Sequence, residues 1–263
     1  MAYPYFTGAL AINNIHQVDL VGPRYIRGDG RFYSLNVMDR FSHGVYLESQ
    51  RTKADDAVAA SLLRCWKAMG IPDFVQLDNE LSFRGSNRYP RSYGIVIRMC
   101  LHYGVTPVFI PVGEPWRNGD VERFNETYDK TFFRRQRFPS YEALKRQSKN
   151  FQRFHNRHHR YSCLSGKTPM EVLAVSGYRP VRVPPNARVP RFQGIPEGNI
   201  ILIRLIRSDR KLDIFGEKFI VSKELVYSYV KAVITTQDHA LKVYVDEAFV
   251  EAFEYRMPSE TWE

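Results

Sequence analysis

"HGVYLESQRTKADDAVAASLLRCWKAMG", residues 43–70, changes its period midway. Its first eight residues carry β-branched and aromatic side chains and read as a strand. From Lys53 onward, Val58, Leu62 and Cys65 or Trp66 fall on one helical face, and Gly70 stops the helix. Toward the N-terminus, "IHQVDLV" (15–21) and "RFYSLNVMDRF" (31–41) are two more strands, joined through the hairpin-type turn "RGDGR". Toward the C-terminus, "PDFVQLDN" (72–79) reads as a short buried strand, "SYGIVIRMCLHYG" as a helix ended by Gly104, and "VTPVFIP" as a further strand. "NGDVERFNETYDKTFFRRQ" is a third helix, with Val121, Phe124, Tyr128 and Phe132 on one face. "SYEALKRQSKNFQRFHNRHH" is a fourth, opened by Ser140 as N-cap. Three consecutive strands followed by alternating helices and strands predict an α/β layer with a mixed sheet.

After "TPMEVL" the pattern changes. Residues 178–198 hold five prolines and no periodicity, which reads as a linker. Beyond it, "NIILIRLIR", "KLDIFGEKFIVS", "SYVKAVITTQ", "ALKVYVD" and "EAFVEAFEY" are short strands at regular spacing, the pattern of a small all-β barrel. The expected division is a core over 1–177, a linker over 178–198 and a barrel over 199–256.

Charge placement narrows the partner. The net charge is +10. Residues 1–122 carry 13 Lys+Arg against 12 Asp+Glu, residues 123–196 carry 16 against 4, and residues 197–263 carry 9 against 12. A basic block between near-neutral segments is an electrostatic footprint for a polyanion. The longest apolar run, "IILI" at 200–203, is too short to span a bilayer, and "MAYPYFTGAL" lacks the pattern of a signal peptide. Three scattered cysteines, Cys65, Cys100 and Cys163, imply no disulfide framework, so a reducing, cytosolic setting is expected.

Carboxylates in strands and first turns are the chemical candidates. Asp19 lies amid the apolar first strand and Asp78 at the end of the fourth, where α/β sheets form their sites. A carboxylate there is costly unless paired or bound to a cation. Asn79 follows as a polar neighbour suited to a phosphate or a water. For a third acid, spacing leaves two choices: 35 residues separate Asp78 from Glu114, and 43 separate it from Glu122. Glu114 precedes a proline in a loop, a poor platform for a fixed ligand. Glu122 stands in the first turn of a helix, where a carboxylate is favoured and rigidly aimed.

"HQVDLVGP", "VQLDNELSF", "WRNGDVERFN" and "SCLSGKTPMEVL" resemble, in order, signature segments of the retroviral-integrase-like transposases of bacterial insertion sequences. The likeness covers roughly residues 12–175. It implies a ribonuclease-H-like mixed-sheet core with flanking helices, followed by a small all-β barrel. It also implies an Asp-Asp-Glu triad of Asp19, Asp78 and Glu122, leaving Glu114 as a loop residue. Departures stand at Glu80, where glycine is usual, at Asp129, where a basic residue is common, and at Arg160-Tyr161, where Pro-His is usual. The helix-turn-helix or zinc-binding part that precedes the core in such enzymes has no counterpart here, as expected of a trimmed or shortened reading frame.

The resemblance implies two Mg²⁺ (or Mn²⁺) ions on the triad, hydrolysis of a DNA strand at an element end, and joining of the 3′-hydroxyl to target DNA. Double-stranded DNA is the implied partner, with a homo-oligomer on paired ends and a nucleoid-associated, bacterial cytoplasmic setting; whether a partner ATPase takes part stays open. Asn79, Arg117, Arg123, Asn125, Lys130, Arg134, Arg135 and Arg137 are the expected DNA contacts, which position the duplex without specifying its sequence. Trp116 is expected to anchor its loop rather than stack on a base. His155, His158, His159 and Cys163 match no standard zinc-finger spacing, and the arginines around them favour phosphate contact. Two alternatives remain open: a ribonuclease-H-like nuclease that cuts without joining, and a degenerate DNA-binding or interaction module.

Overall fold

The computed structural model describes residues 3, 5–6, 8–86 and 88–258. The chain forms two compact units, each built from separate stretches: residues 8–73 with 118–188, and residues 1–7 with 74–117 and 189–263.

The first of these units opens with an antiparallel meander of β1 (Ile15–Ile26), β2 (Gly30–Asp39) and β3 (Val45–Gln50). β1 and β2 pair with Asp19 opposite Asn36, and a register shift lies between Val21 and Arg24. α1 (Asp55–Met69) then buries Val58, Leu62, Cys65 and Trp66, the face the spacing predicts, and ends at Gly70. That glycine has φ +103°, and a Cβ there would stand 2.5 Å from Asn13 Nδ2, so both backbone and space require glycine.

Two long helices return to this meander. Numbered in chain order after the two short helices of the other unit, they are α4 (Gly119–Thr131) and α5 (Tyr141–His158). Val121, Phe124, Tyr128 and Phe132 enter a core with Ile26, Phe32, Met38, Val45, Leu47 and Leu144. Ser140 caps α5 as its sequence predicts, accepting from the Ala143 amide at 3.2 Å. α6 (Pro169–Ser176) carries a capping box between Thr168 and Glu171.

The second unit holds β4 (Phe74–Leu77), α2 (Leu81–Arg84), α3 (Ile95–His102) and β5 (Thr106–Phe109). From beyond the proline-rich stretch it adds β6 (Asn199–Leu205), β7 (Lys211–Ile214), β8 (Glu217–Ile220), β9 (Tyr229–Thr235), β10 (Ala240–Val245) and β11 (Ala248–Glu254). β4 pairs with β5, and β5 with β6, in parallel; β6, β9, β10 and β11 continue antiparallel, giving a mixed sheet, with β7–β8 a separate hairpin. The C-terminal strands thus form a small β region whose first strand shares a sheet with β4 and β5. The residues explain this: Ile200, Ile201, Leu202 and Ile203 are all buried, so β6 needs cover on both faces. One division between the two units, between Arg188 and Val189, falls inside the proline-rich stretch read as the linker, and others fall after Asp73 and after Arg117, within the region read as the core.

Candidate active site

In the first unit the site is assembled by β1 and α4. Gln17 and Asp19 lie two residues apart on β1 and so share a face. Gln17, itself buried, accepts with Oε1 from the backbone amides of Asp120 at 3.1 Å and Val121 at 3.0 Å. These belong to the first turn of α4, whose amides have no partner within the helix. Asn118 Nδ2 donates to Val18 O at 2.9 Å, so the helix start is fixed to β1 twice. Glu122 therefore leaves α4 in its first turn, half-buried.

One turn later, Asn125 Nδ2 donates to Asp19 Oδ2. Asn36 Nδ2 donates to Asn125 Oδ1 at 2.6 Å, and Ser34 Oγ to Asn36 Oδ1 at 2.6 Å. Each donor hands on to the next acceptor, which sets the orientation of both amides and ends on the Asp19 carboxylate. Asn125, expected among the DNA contacts, donates to Asp19 in the structure. Sequence reasoning missed Gln17, Ser34 and Asn36 altogether, although a buried-strand position occupied by an amide was a usable signal.

In the second unit, Asp78 follows β4 and is half-buried. Its Oδ1 accepts from the Glu80 amide at 2.9 Å. Burial pushes its carboxyl up and the Glu80 charge adds to the rise, while the Glu80 amide opposes it. Asn79, expected at a phosphate, instead spends its amide within the protein: Nδ2 donates to Ile110 O and Oδ1 accepts from Arg204, both at 2.8 Å. Glu114 is held by Tyr229 OH at 2.9 Å and by Arg117 Nε at 2.9 Å. Arg117, another expected DNA contact, is thereby committed to an ion pair and lies 3.9 Å over the Tyr3 ring. Trp116 is 61% exposed and anchors nothing by burial, contrary to expectation.

The remaining expected contacts are on the surface of the first unit. Arg123 pairs with Asp120 at 2.6 Å, Lys130 with Glu126 at 2.8 Å, and Arg134 with Asp129; Arg135 and Arg137 are exposed. Asp129 also holds Arg24 of β1 at 2.8 Å, which gives this departure from the family pattern a structural use. Burial pushes the Asp120 carboxyl up, but Arg40 at 2.9 Å and Arg123 outweigh it and hold it below the usual range. Asp120, Arg40, Arg123, His43, Tyr161 and Cys163 line a cleft of about 440 Å³. His155 is buried 2.8 Å from Tyr161 OH, and Cys163 Sγ is 3.5 Å from His43.

Asp19 and Glu122 belong to one unit and Asp78 to the other. Among the described residues, no three His, Cys, Asp or Glu side chains are grouped to hold a metal ion. Each of these carboxylates is half-buried, and carboxylate oxygens are the donors that Mg²⁺ and Mn²⁺ prefer.

Residues 103–169, which include β5, α4 and α5, match the integrase core domain family. No curated protein matches the chain. Two solved structures of the HTLV-2 integrase catalytic core domain in complex with magnesium are similar. The trimeric form is 18% identical over 62% of this chain and 98% of that one, with a TM-score of 0.48. The dimeric form is 19% identical over the same shares, with a TM-score of 0.47. A chain of the simian T-cell lymphotropic virus intasome in complex with PP2A regulatory subunit B56 gamma is 16% identical over 98% of this chain and 81% of that one, with a TM-score of 0.54. At that identity the likeness is one of fold: a mixed α/β, integrase-like architecture.

Proposed function

We propose that the chain is a DNA transposase or integrase of the bacterial insertion-sequence kind, cutting a DNA strand and transferring its 3′-hydroxyl to a second duplex. The observation that carries this reading is the Asn125–Asp19 hydrogen bond, made one turn after Glu122 inside the segment that matches the integrase core domain. It supports Asp19 and Glu122 as acids that act together, with Asp78 as the third. Asp19, Asp78 and Glu122 would hold divalent ions, which when bound activate a water or a 3′-hydroxyl and stabilise the leaving oxygen. The chain's own part is positional. Asn125, oriented by Asn36, holds one oxygen of Asp19, and Gln17 fixes the helix start that carries Glu122. Arg123, Lys130, Arg134, Arg135 and Arg137 neutralise phosphates; all five side chains stand exposed, and the Lys130–Glu126 pair, exposed on both sides, is displaced by DNA at little cost. A homo-oligomer on paired DNA ends and a nucleoid-associated setting belong to the same proposal.

Glu114 supports the choice of Glu122 by being engaged elsewhere, on Arg117 and Tyr229. The test is a branched, pre-joined DNA incubated with the protein and Mg²⁺ or Mn²⁺, beside Asp78→Asn, Glu114→Gln and Glu122→Gln. Strand exchange is expected with wild type and Glu114→Gln, and a loss of about a hundredfold or more with the other two. Strand cutting without joining would instead indicate a nuclease. Unchanged activity in Glu122→Gln would refute the triad.

A further inference from the structure

Arg204, on β6, is 6% exposed, a rare place for a guanidinium. Its hydrogen bonds run to neutral oxygens: Nε to Asp213 O at 3.0 Å, Nη1 to Ile110 O at 3.0 Å and Ile203 O at 2.9 Å, and Nη2 to Asn79 Oδ1 at 2.8 Å. Burial pulls its pKa down to about 10, so it is charged at neutral pH. A buried charge held by carbonyls is an expensive way to stabilise a strand, because an apolar side chain fills the same space without the desolvation cost. What an apolar residue cannot supply is the geometry. The planar fork reaches Ile110 O, just after β5, and Asn79, just after β4, while Asn79 Nδ2 donates to the same Ile110 O. Arg204, Asn79 and Ile110 thus close a ring that ties together the segments at β4, β5 and β6. Arg84 Nε adds a bond to the Asn79 main-chain oxygen at 2.9 Å. The next residue back is Asp78.

We propose that Arg204 is a positioning residue: it fixes the Asn79 side chain and, through it, sets the Asp78 carboxylate at the end of β4. This rests on the reading of Asp78 as a catalytic acid. It gives the C-terminal β region a part in the reaction that does not require it to touch DNA, and the region's excess of acids over bases is no obstacle.

The test uses the full chain as wild type, Arg204→Met, Arg204→Lys, Asn79→Ala and the Arg204→Met/Asn79→Ala double variant. Single-turnover rates on saturating branched DNA, DNA affinity and hydrogen exchange at the Glu80 amide, which donates to Asp78, are measured for each. Arg204→Met and Asn79→Ala are each expected to slow turnover about 10- to 100-fold, as outer residues of a metal site do. DNA affinity should stay within about twofold, and the double variant should be no slower than the slower single one. Arg204→Lys keeps the charge without the fork and should recover only part of the rate. The Glu80 amide should exchange faster in Arg204→Met and in Arg204→Lys. Additive losses in the double variant, or an unchanged Glu80 amide, would overturn the proposal. Should Arg204→Met fail to fold, Arg204→Lys carries the same exchange measurement. If wild type processes no DNA, the enzymatic reading fails by itself, and exchange at Glu80 still decides what Arg204 does.

Discussion

His16 lies one residue before the Gln17 that caps α4, and it is fully enclosed. Its Nε2 is 2.8 Å from Asn13 Oδ1, while Nδ1 is buried with no hydrogen-bond partner. The ring therefore donates through Nε2 and stays neutral, since a second proton on Nδ1 would be a buried, unsatisfied donor. Burial lowers its pKa to about 3, and burial, with His159 and His43 nearby, lowers that of His155 to about 3 as well. In the unfolded chain both titrate near pH 6.5, so below that pH the unfolded state binds protons that the native state refuses. Stability is then unaffected above about pH 6.5 and falls with acidification toward pH 3, by about 1.4 kcal/mol per pH unit for each ring. Urea unfolding at pH 7 and pH 5, where most carboxylates remain charged, should show wild type losing on the order of 4 kcal/mol. His16→Gln should be weaker at pH 7 and lose roughly half as much between the two values. An equal loss in the variant would show that His16 accepts its proton in the native state. Single residues were legible where burial made them anomalous. Asp19 and Asp78 stood out because a carboxylate in a strand needs a reason, whereas the roles of Asn36 and Arg204 come from Asn125, Asn79 and Ile110, far along the chain.

At the scale of elements, α4 shows what period reveals and what it hides. Val121, Phe124, Tyr128 and Phe132 mark the buried face from spacing alone, and the same face enters the core. The helix has no side-chain cap of its own, because Asn118 faces β1 and not the first turn. Its amides are satisfied by Gln17, about a hundred residues earlier in the chain, which no local capping rule detects. α5 and α6 are the contrast: both are capped locally, Ser140 as read from the sequence, and the Thr168–Glu171 box without having been singled out there. Gln17→Leu, close in volume, leaves two buried amides without an acceptor, so a loss of about 2–4 kcal/mol in unfolding free energy is expected. Amide exchange at Asp120 and Val121 should accelerate before any change in the last turn of α4. Protection that stays equal at both ends would mean that tertiary packing alone holds the helix start, and Gln17 would then have no share in aiming Glu122.

On the scale of the whole chain, charge and connectivity were legible to different degrees. The prolines of 178–198 interrupt the periodicity, and a sequence reading takes that for a domain boundary. One division between the compact units falls within it, at Arg188/Val189, and β6 beyond it joins the unit of β4 and β5: four consecutive buried apolar residues need neighbours on both faces, and β5 supplies one edge through the pairs Val108–Ile201 and Phe109–Leu202. Such a pairing joins residues more than ninety positions apart, and spacing cannot find it. The charge distribution needs no fold to be seen: 16 basic against 4 acidic residues lie in 123–196. The structure adds which of these cations are available. Arg135 and Arg137 are exposed, and the ion pair of Arg134 leaves its side chain 74% exposed, so phosphates can reach all three without unfolding anything. Replacing Arg134, Arg135 and Arg137 together by Ala should therefore leave stability within about 0.5 kcal/mol per site. The slope of log affinity for duplex DNA against log salt should shrink by about 0.9 for each phosphate no longer neutralised, with the same weakening on unrelated sequences. Arg256→Ala, in the C-terminal region whose acids outnumber its bases, should leave the slope where it was. A slope unchanged in the triple variant but reduced by Arg256→Ala would move the DNA track from the basic block to the C-terminal strands.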